Sequence, residues 1–332
     1  MLVGGDTRAC SMAASHGLKG RLPRHCAADP SAVEASISLV VKAFPAIGLP
    51  QLDEKAAMLE RLDRKYVVQE TELRNALAQL VTSFDVLEID GRRDFTYETC
   101  YFDDKHCSSY FAHHQGRRQR FKVRVRKYTD AQLCFVEIKL KGKRGVTVKK
   151  RLEYSMDKYG TLDDRARAHL HSAYKALYHS DFNYAIKPVL EMSYQRITLV
   201  AKDGLERMTI DGNLAFSTTA RSCRIDKNIF IVETKSANGN GIADKVLRSL
   251  HQHPTRPCSK YCVAMAALQE VGRYNNFLPA LRKLRIGSDH LTSGNANPPV
   301  FGNVSKLIGS VWLAIALLSG VTATGYAFTG SV

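Results

Sequence analysis

Between Gln119 and Glu153 the chain alternates cations with aliphatic residues through three consecutive segments, and a period of two sustained this way is satisfied by strands. Lys122, Arg124 and Arg126 share one parity, with Val123 and Val125 on the other. In the second segment Glu137, Lys139 and Lys141 oppose Val136, Ile138 and Leu140, and a Gly142-Lys-Arg-Gly145 turn follows. The third sets Thr147, Lys149 and Arg151 against Val146 and Val148. Neighbouring strands so patterned form a grid of cations around a single carboxylate, Glu137. A solvated face explains one such strand. Three in a row do not fit that reading, because like charges directly opposite each other on paired strands destabilise a sheet. The grid calls for a polyanion, either a phosphate chain or nucleic acid.

The remaining composition agrees without narrowing the choice. A formal net charge of +16 over 332 residues favours anionic partners, and a hydrophobic share of 45% suffices for a globular core. The first residues lack the apolar run of a secretory signal, so the 8 cysteines are expected as free thiols in a reducing compartment. Neither Cys258 with Cys262 nor Cys100 with Cys107 beside His106 has the spacing of a zinc site.

Residues 1–50 show no sustained period and read as a poorly ordered extension. The folded part, 52–275, opens with a strand at Leu62–Val68 that puts Asp63 and Lys65 on one face. A helix at Glu70–Val81 follows, with Leu73, Leu77 and Leu80 on one side. Phe84–Ile89 and Phe95–Phe102 flank Asp90-Gly91, a hairpin signal. Tyr110, Phe111, His113 and His114 belong to a short helix, and Leu162–Tyr178 to a longer one. The β pattern resumes at Lys187 with Met192, Tyr194 and Arg196 alternating. Beyond the Lys202-Asp-Gly204 turn, Arg207, Thr209 and Asp211 share a face. Phe230–Lys235 repeats the earlier Glu-x-Lys spacing with Glu233 and Lys235, and Ser259-Lys260-Tyr261-Cys262 opens a helix to Leu268.

After a linker at 276–306, Leu307–Phe328 carries no charge over a length able to cross a bilayer core of about 30 Å. Arg282, Lys283, Arg285 and Lys306 precede it and would hold that side in the cytoplasm. We therefore expect a transmembrane helix at the C-terminus, a membrane location with the catalytic domain cytoplasmic, and room for transmembrane partner proteins.

In order along the chain, Arg124-Val-Arg126, Val136-Glu-Ile-Lys139, Val148-Lys-Lys-Arg151, Tyr194-Gln-Arg196, Val232-Glu-Thr-Lys235 and Ser259-Lys-Tyr261 resemble the VTC polyphosphate polymerase domain of the triphosphate tunnel metalloenzyme (CYTH-like) superfamily. The likeness covers Leu59 to Glu270. It implies an α+β fold, an antiparallel β-barrel tunnel flanked by helices. It also implies that Lys65, Arg124, Arg126, Lys139, Lys149, Arg196, Arg207 and Lys260 grip phosphates, with Tyr194 donating from its hydroxyl. Lys122, Lys141, Arg151, Lys235 and Ser259 would be secondary phosphate contacts. Glu233 would hold a divalent ion, Mn²⁺ or Mg²⁺, with Glu137 as second ligand. The sequence departs from the pattern twice. Where the wider superfamily has Glu-x-Glu-x-Lys, Leu62-Asp-Arg-Lys65 offers only Asp63, which argues against the triphosphatase and cyclase branches. A family lysine is replaced by Pro257, so that Arg256 serves instead or the contact is absent.

Three functions fit a cationic tunnel: an ATP-dependent polyphosphate polymerase, a triphosphatase or polyphosphatase, and a non-catalytic polyphosphate or nucleic-acid binding module. The first suits the residues best, since phosphoryl transfer asks chiefly for positioning and charge neutralisation. Nucleic acid is disfavoured because the cationic face lacks interleaved aromatics for base stacking. Replacing any one of Arg124, Arg126 or Lys139 is expected to relieve repulsion and leave the ligand-free fold as stable or more so.

Overall fold

The computed structural model describes residues 37–55, 62–142, 147–286 and 291–293. In order it comprises β1 (Ala46–Ile47), α1 (Leu49–Lys55), β2 (Leu62–Gln69), α2 (Glu70–Leu80), β3 (Phe84–Leu87), β4 (Asp94–Asp103), α3 (Ser108–His114), β5 (Arg120–Tyr128), β6 (Leu133–Lys141) and β7 (Thr147–Tyr154). Then come α4 (Asp164–Tyr178), β8 (Lys187–Ala201), β9 (Glu206–Ser217), β10 (Arg221–Arg224), β11 (Ile229–Ser236), α5 (Ile242–Ser249), α6 (Lys260–Ala267), α7 (Leu278–Lys283) and β12 (Leu291–Ser293).

All strands join one 12-stranded sheet. Its main wall runs β2, β11, β9, β8, β4, β5, β6, β7, with every neighbouring pair antiparallel. In a flat sheet β11 and β6, five steps apart, would lie about 24 Å from each other. Lys139 on β6 nevertheless interacts electrostatically with Glu233 and Lys235 on β11, so the wall is rolled and its charged face is concave. The roll is not a closed barrel, a correction to the sequence expectation: among the described residues β2 and β7 do not pair. The segment leading into α6 lies on β2 instead, the Thr255 N–H donating to the Lys65 carbonyl at 2.7 Å.

The alternation fixes which face turns where. Val123, Val125, Val136, Ile138 and Leu140 are buried on the convex side with Ala166 and Leu170 of α4. The Asp163 side chain caps that helix by accepting from the Ala166 N–H (2.9 Å). Tyr66, Val68, Leu199, Met208 and Val232 are buried on the same side against α2 and α5. The concave side receives α6, whose residues from Tyr261 to Ala267 are all buried. The Tyr261 ring packs tilted against Tyr101 (5.1 Å), and its hydroxyl donates to Asp103 Oδ2 (2.6 Å).

Three expectations from sequence are corrected. The Asp90-Gly91 turn forms, with Ile89 and Arg92 exchanging both backbone hydrogen bonds, but Phe84–Ile89 and Phe95–Phe102 do not pair beyond it: β8 is 15 residues long, and β4 and β3 lie end to end along one of its edges. Residues 37–50, expected in the extension, are folded, with Ile37, Val41, Phe44, Ile47 and Leu49 buried and β1 paired in parallel with β3. Part of the expected linker is also packed, since Ala280, Leu281 and Leu284 are buried. The cysteines described are free thiols, as expected. Among the described residues no helix is long and apolar enough to cross a membrane, and 307–328 lies outside them.

Candidate functional site

Each wall strand sends alternate side chains into the concavity, and the predicted residues converge there: Lys65 from β2, Lys122, Arg124 and Arg126 from β5, Glu137 and Lys139 from β6, Lys149 and Arg151 from β7. Tyr194 and Arg196 enter from β8, Arg207 from β9, Glu233 and Lys235 from β11. Ser259 and Lys260 come from the start of α6. Lys141, at the end of β6, stands at the rim and donates to Thr147 Oγ1 (3.2 Å). Arg256 is exposed.

Carboxylates divide these cations into groups. Glu137, fully buried, accepts from Arg124 Nε (2.6 Å) and Nη2 (2.5 Å) on one oxygen and meets Lys149 Nζ (2.5 Å) on the other. Asp211, also fully buried, takes Arg196 through Nε (2.6 Å) and Nη2 (2.8 Å) and Lys260 Nζ (2.5 Å). Glu233 lies between Lys65 (3.1 Å) and Lys235 (3.3 Å). Burial opposes the ionised form of all three acids, but the adjoining cations hold each carboxyl below its ordinary range.

A second group is compensated only at one end, where Lys149 meets Glu137. Lys122, Lys139 and Lys149 are direct cross-strand partners, one row of three lysines over β5, β6 and β7. Burial and the neighbouring Arg124 and Lys149 push Lys139 well below the ordinary lysine range. Burial, with Lys65 and Arg124 nearby, lowers Lys122, which donates to Ser259 Oγ (2.9 Å). Burial alone would raise the Tyr101 phenol, yet the adjoining Arg124 and Arg126 hold it below its usual value.

Aromatic rings underlie the cations, contrary to the expectation that this face lacks them. Tyr97 and Tyr194 stack at 5.3 Å. Arg126 lies over them at 5.4 and 5.8 Å, and Arg196 at 5.0 and 5.3 Å. These rings are buried and hold guanidiniums in place, so they offer no open face to a base. Sequence reading missed Asp211, Tyr97, Tyr101 and Thr99 as site residues. Asp211 did share parity with Arg207, and Tyr97, Thr99 and Tyr101 alternate on β4 as the cations do on β5.

The hydroxyls of Tyr194 and Thr209 are buried and have no protein hydrogen-bond partner among the described residues. Both lie on the concave face, where a phosphate oxygen would satisfy them. For a divalent ion, Glu137 does not fit, because Arg124 and Lys149 occupy both its oxygens. The Glu233 oxygens each meet a lysine too, but at the longer distances of 3.1 and 3.3 Å and with the side chain partly exposed, so it fits better as a single protein ligand, ions of this kind being commonly bound by one or two carboxylates with phosphate and water oxygens completing the shell. No group of three metal-ligating side chains occurs among the described residues. A separate cavity of about 790 Å³ opens on the convex side of the same strands, lined by Arg93, Gln195, Ile197, Ile210 and Phe230.

No curated protein sequence matches the chain at a significant level. Among solved structures, the PH1819 protein from Pyrococcus horikoshii OT3 overlaps 62% of this chain and 98% of its own at 12% identity and a TM-score of 0.36. A putative adenylyl cyclase from Hippeastrum, described as having a dominant triphosphatase activity, overlaps 63% and 96% at 10% identity and a TM-score of 0.35. Both likenesses are loose. The VTC domain family model, by contrast, matches residues 60–269 in one stretch that spans the rolled wall and α6. The chain belongs to the VTC domain family.

Proposed function

We propose that this concave chamber binds a chain of phosphates and transfers the γ-phosphate of ATP to the end of a growing inorganic polyphosphate. The observation that carries the reading is the row of Lys122, Lys139 and Lys149, like charges directly opposite one another, of which only Lys149 meets a carboxylate, so that a polyanion would offset the repulsion that remains. The neighbouring guanidinium of Arg126, held by Thr99 (3.1 Å) and by the Tyr97 and Tyr194 rings, presents a preorganised donor to the transferring phosphoryl group. Lysines grip as point charges and let a chain shift along them, while arginines fix orientation. Tyr194 and Thr209 supply neutral donors. Mn²⁺ or Mg²⁺, held at Glu233, would neutralise charge on the phosphate oxygens when bound.

Incubating the purified full chain with ATP and Mn²⁺, then staining a gel for long phosphate chains, tests this. Orthophosphate as the only product would move the assignment to a triphosphatase or polyphosphatase. Membrane placement through 307–328, with partner proteins in the bilayer, is part of the same proposal. Cell fractionation of the full chain against a version ending at Asn303 checks it, and a full chain found only in the soluble fraction refutes it.

A further inference from the structure

Asp211 is assigned no part in the phosphate reading, yet both its oxygens are engaged by cations of the chamber. It joins three elements: β9, which carries it, β8 through both Arg196 contacts, and α6 through Lys260. Its bidentate grip takes the Nε and Nη2 edge of Arg196 and leaves Nη1 free of that carboxylate. The same guanidinium lies over Tyr97 and Tyr194, and Lys260 Nζ lies 5.3 Å from the Tyr194 ring. Arg196 is thus fixed by one edge and one face, and Lys260 by the same acid.

We propose that Asp211 is a positioning and release residue: it aims Arg196 and Lys260 at the phosphates and, as a resident counter-charge, limits how tightly the chamber holds them. The second half follows from chemistry. A chain that must advance after each transfer is trapped if every cation is free to bind it, because affinity spent equally on ground and transition states slows release without speeding transfer. An acid that stays ionised between two of the cations lowers the local potential while leaving their donors in place.

The inference rests on the polymerase reading for its rate arm and not for its binding arm. Asp211→Asn removes the charge and loosens the aim. Asp211→Glu keeps the charge and displaces Arg196. Binding of tripolyphosphate is measured by calorimetry on the full chain, alongside kcat for chain growth and a melting curve for each variant. With Asn, tripolyphosphate should bind tighter, on the order of fivefold from the lost repulsion, while kcat falls at least about tenfold. With Glu, kcat falls similarly and affinity stays within about twofold. Weaker binding by the Asn variant, or wild-type kcat in the Glu variant, overturns the proposal. Should the Asn variant fail to fold, the Glu variant still decides the positioning half, and affinity rising on Asp211→Ser decides the other. If the wild type itself makes no polymer, the reaction assignment fails while the affinities still judge Asp211.

Discussion

The two sides of the chamber treat charge differently. Along β2, β11, β9 and β8 cations tend to face acids directly across the ladder: Lys65 opposite Glu233, Asp63 opposite Lys235, Asp211 opposite Arg196. Over β5, β6 and β7 one row is balanced, with Arg124 and Arg151 flanking Glu137, and the next is three lysines with no acid among them. Lysine behaviour follows the divide. Burial disfavours the Lys65 ammonium, yet Glu233 and Asp63 raise it above the ordinary range, whereas burial and neighbouring cations depress Lys139. One side is neutralised from within, and the other, though Glu137 offsets Arg124 and Lys149, keeps Lys122 and Lys139 without an ion-paired carboxylate among the described residues. On the proposed function, the phosphates meet their least compensated cations against β5 to β7.

The sharpest way to break that contrast is to remove the acid from the β5 to β7 side. Glu137→Gln should destabilise the fold by about 3–5 kcal/mol, because Arg124 and Lys149 are left buried without a counter-charge. Denaturant unfolding of the ligand-free protein checks it, and a wild-type midpoint would mean the two cations relax into water. For the same reason Arg124→Ala is now expected to destabilise, correcting the sequence-based view that treated it like Lys139.

Next in size is Lys139→Met. Tripolyphosphate affinity should fall by about 1–3 kcal/mol while the ligand-free melting temperature holds or rises. Lys139 has no carboxylate at ion-pair distance among the described residues, so nothing is orphaned by its loss. A collapse in melting temperature with affinity retained would make Lys139 structural.

The pH response gives a graded test. Lys139 and Lys149 are lowered by burial, with Arg124 adding to the effect on both and Glu137 opposing it at Lys149. Below their folded values both states are protonated and the full penalty of burying charge is present. As pH climbs from there toward 10.5, the unfolded chain binds more protons than the folded one, so ligand-free stability should rise. Tripolyphosphate affinity should fall over the same interval, since the ligand needs the protonated lysines. Affinity and melting temperature moving in the same direction would contradict this picture of the β5 to β7 lysines.

The smallest expected effect lies on the convex side. The Tyr178 hydroxyl of α4 reaches the Arg120 and Lys141 carbonyls, both at 2.9 Å. Tyr178→Phe should cost about 1 kcal/mol of stability and leave tripolyphosphate affinity unchanged, which thermal melts and calorimetry would show.

The contrast between sides was only half legible in the sequence. The β5 to β7 grid is local, carried by a period of two over neighbouring segments, so its strands and the face each side chain takes could be read directly. The paired side is assembled from distant segments. Nothing near Asp211 announces that Lys260 will reach it, and the run Val263 to Ala267 does not reveal that its helix lies on the concave face. The β3 and β4 hairpin failed for a related reason: Asp90-Gly91 is a good turn, but the partner both strands prefer, β8, is far along the chain. Local chemistry sets an element, and the choice of partner is a competition that sequence order does not record.

The position of α6 within the roll has a consequence for how the molecule is made. Its anchoring bonds reach back across the chain, Tyr261 to Asp103 over 158 residues and Ser259 to Lys122 over 137. During synthesis the β5 to β7 meander emerges early, with its lysines side by side, while the helix that closes on it comes near the end of the domain. Loops that long are slow to close, so the meander spends that interval as an unsealed cationic surface. A polyanion bound there in that interval would offset the repulsion among the lysines before the helix arrives.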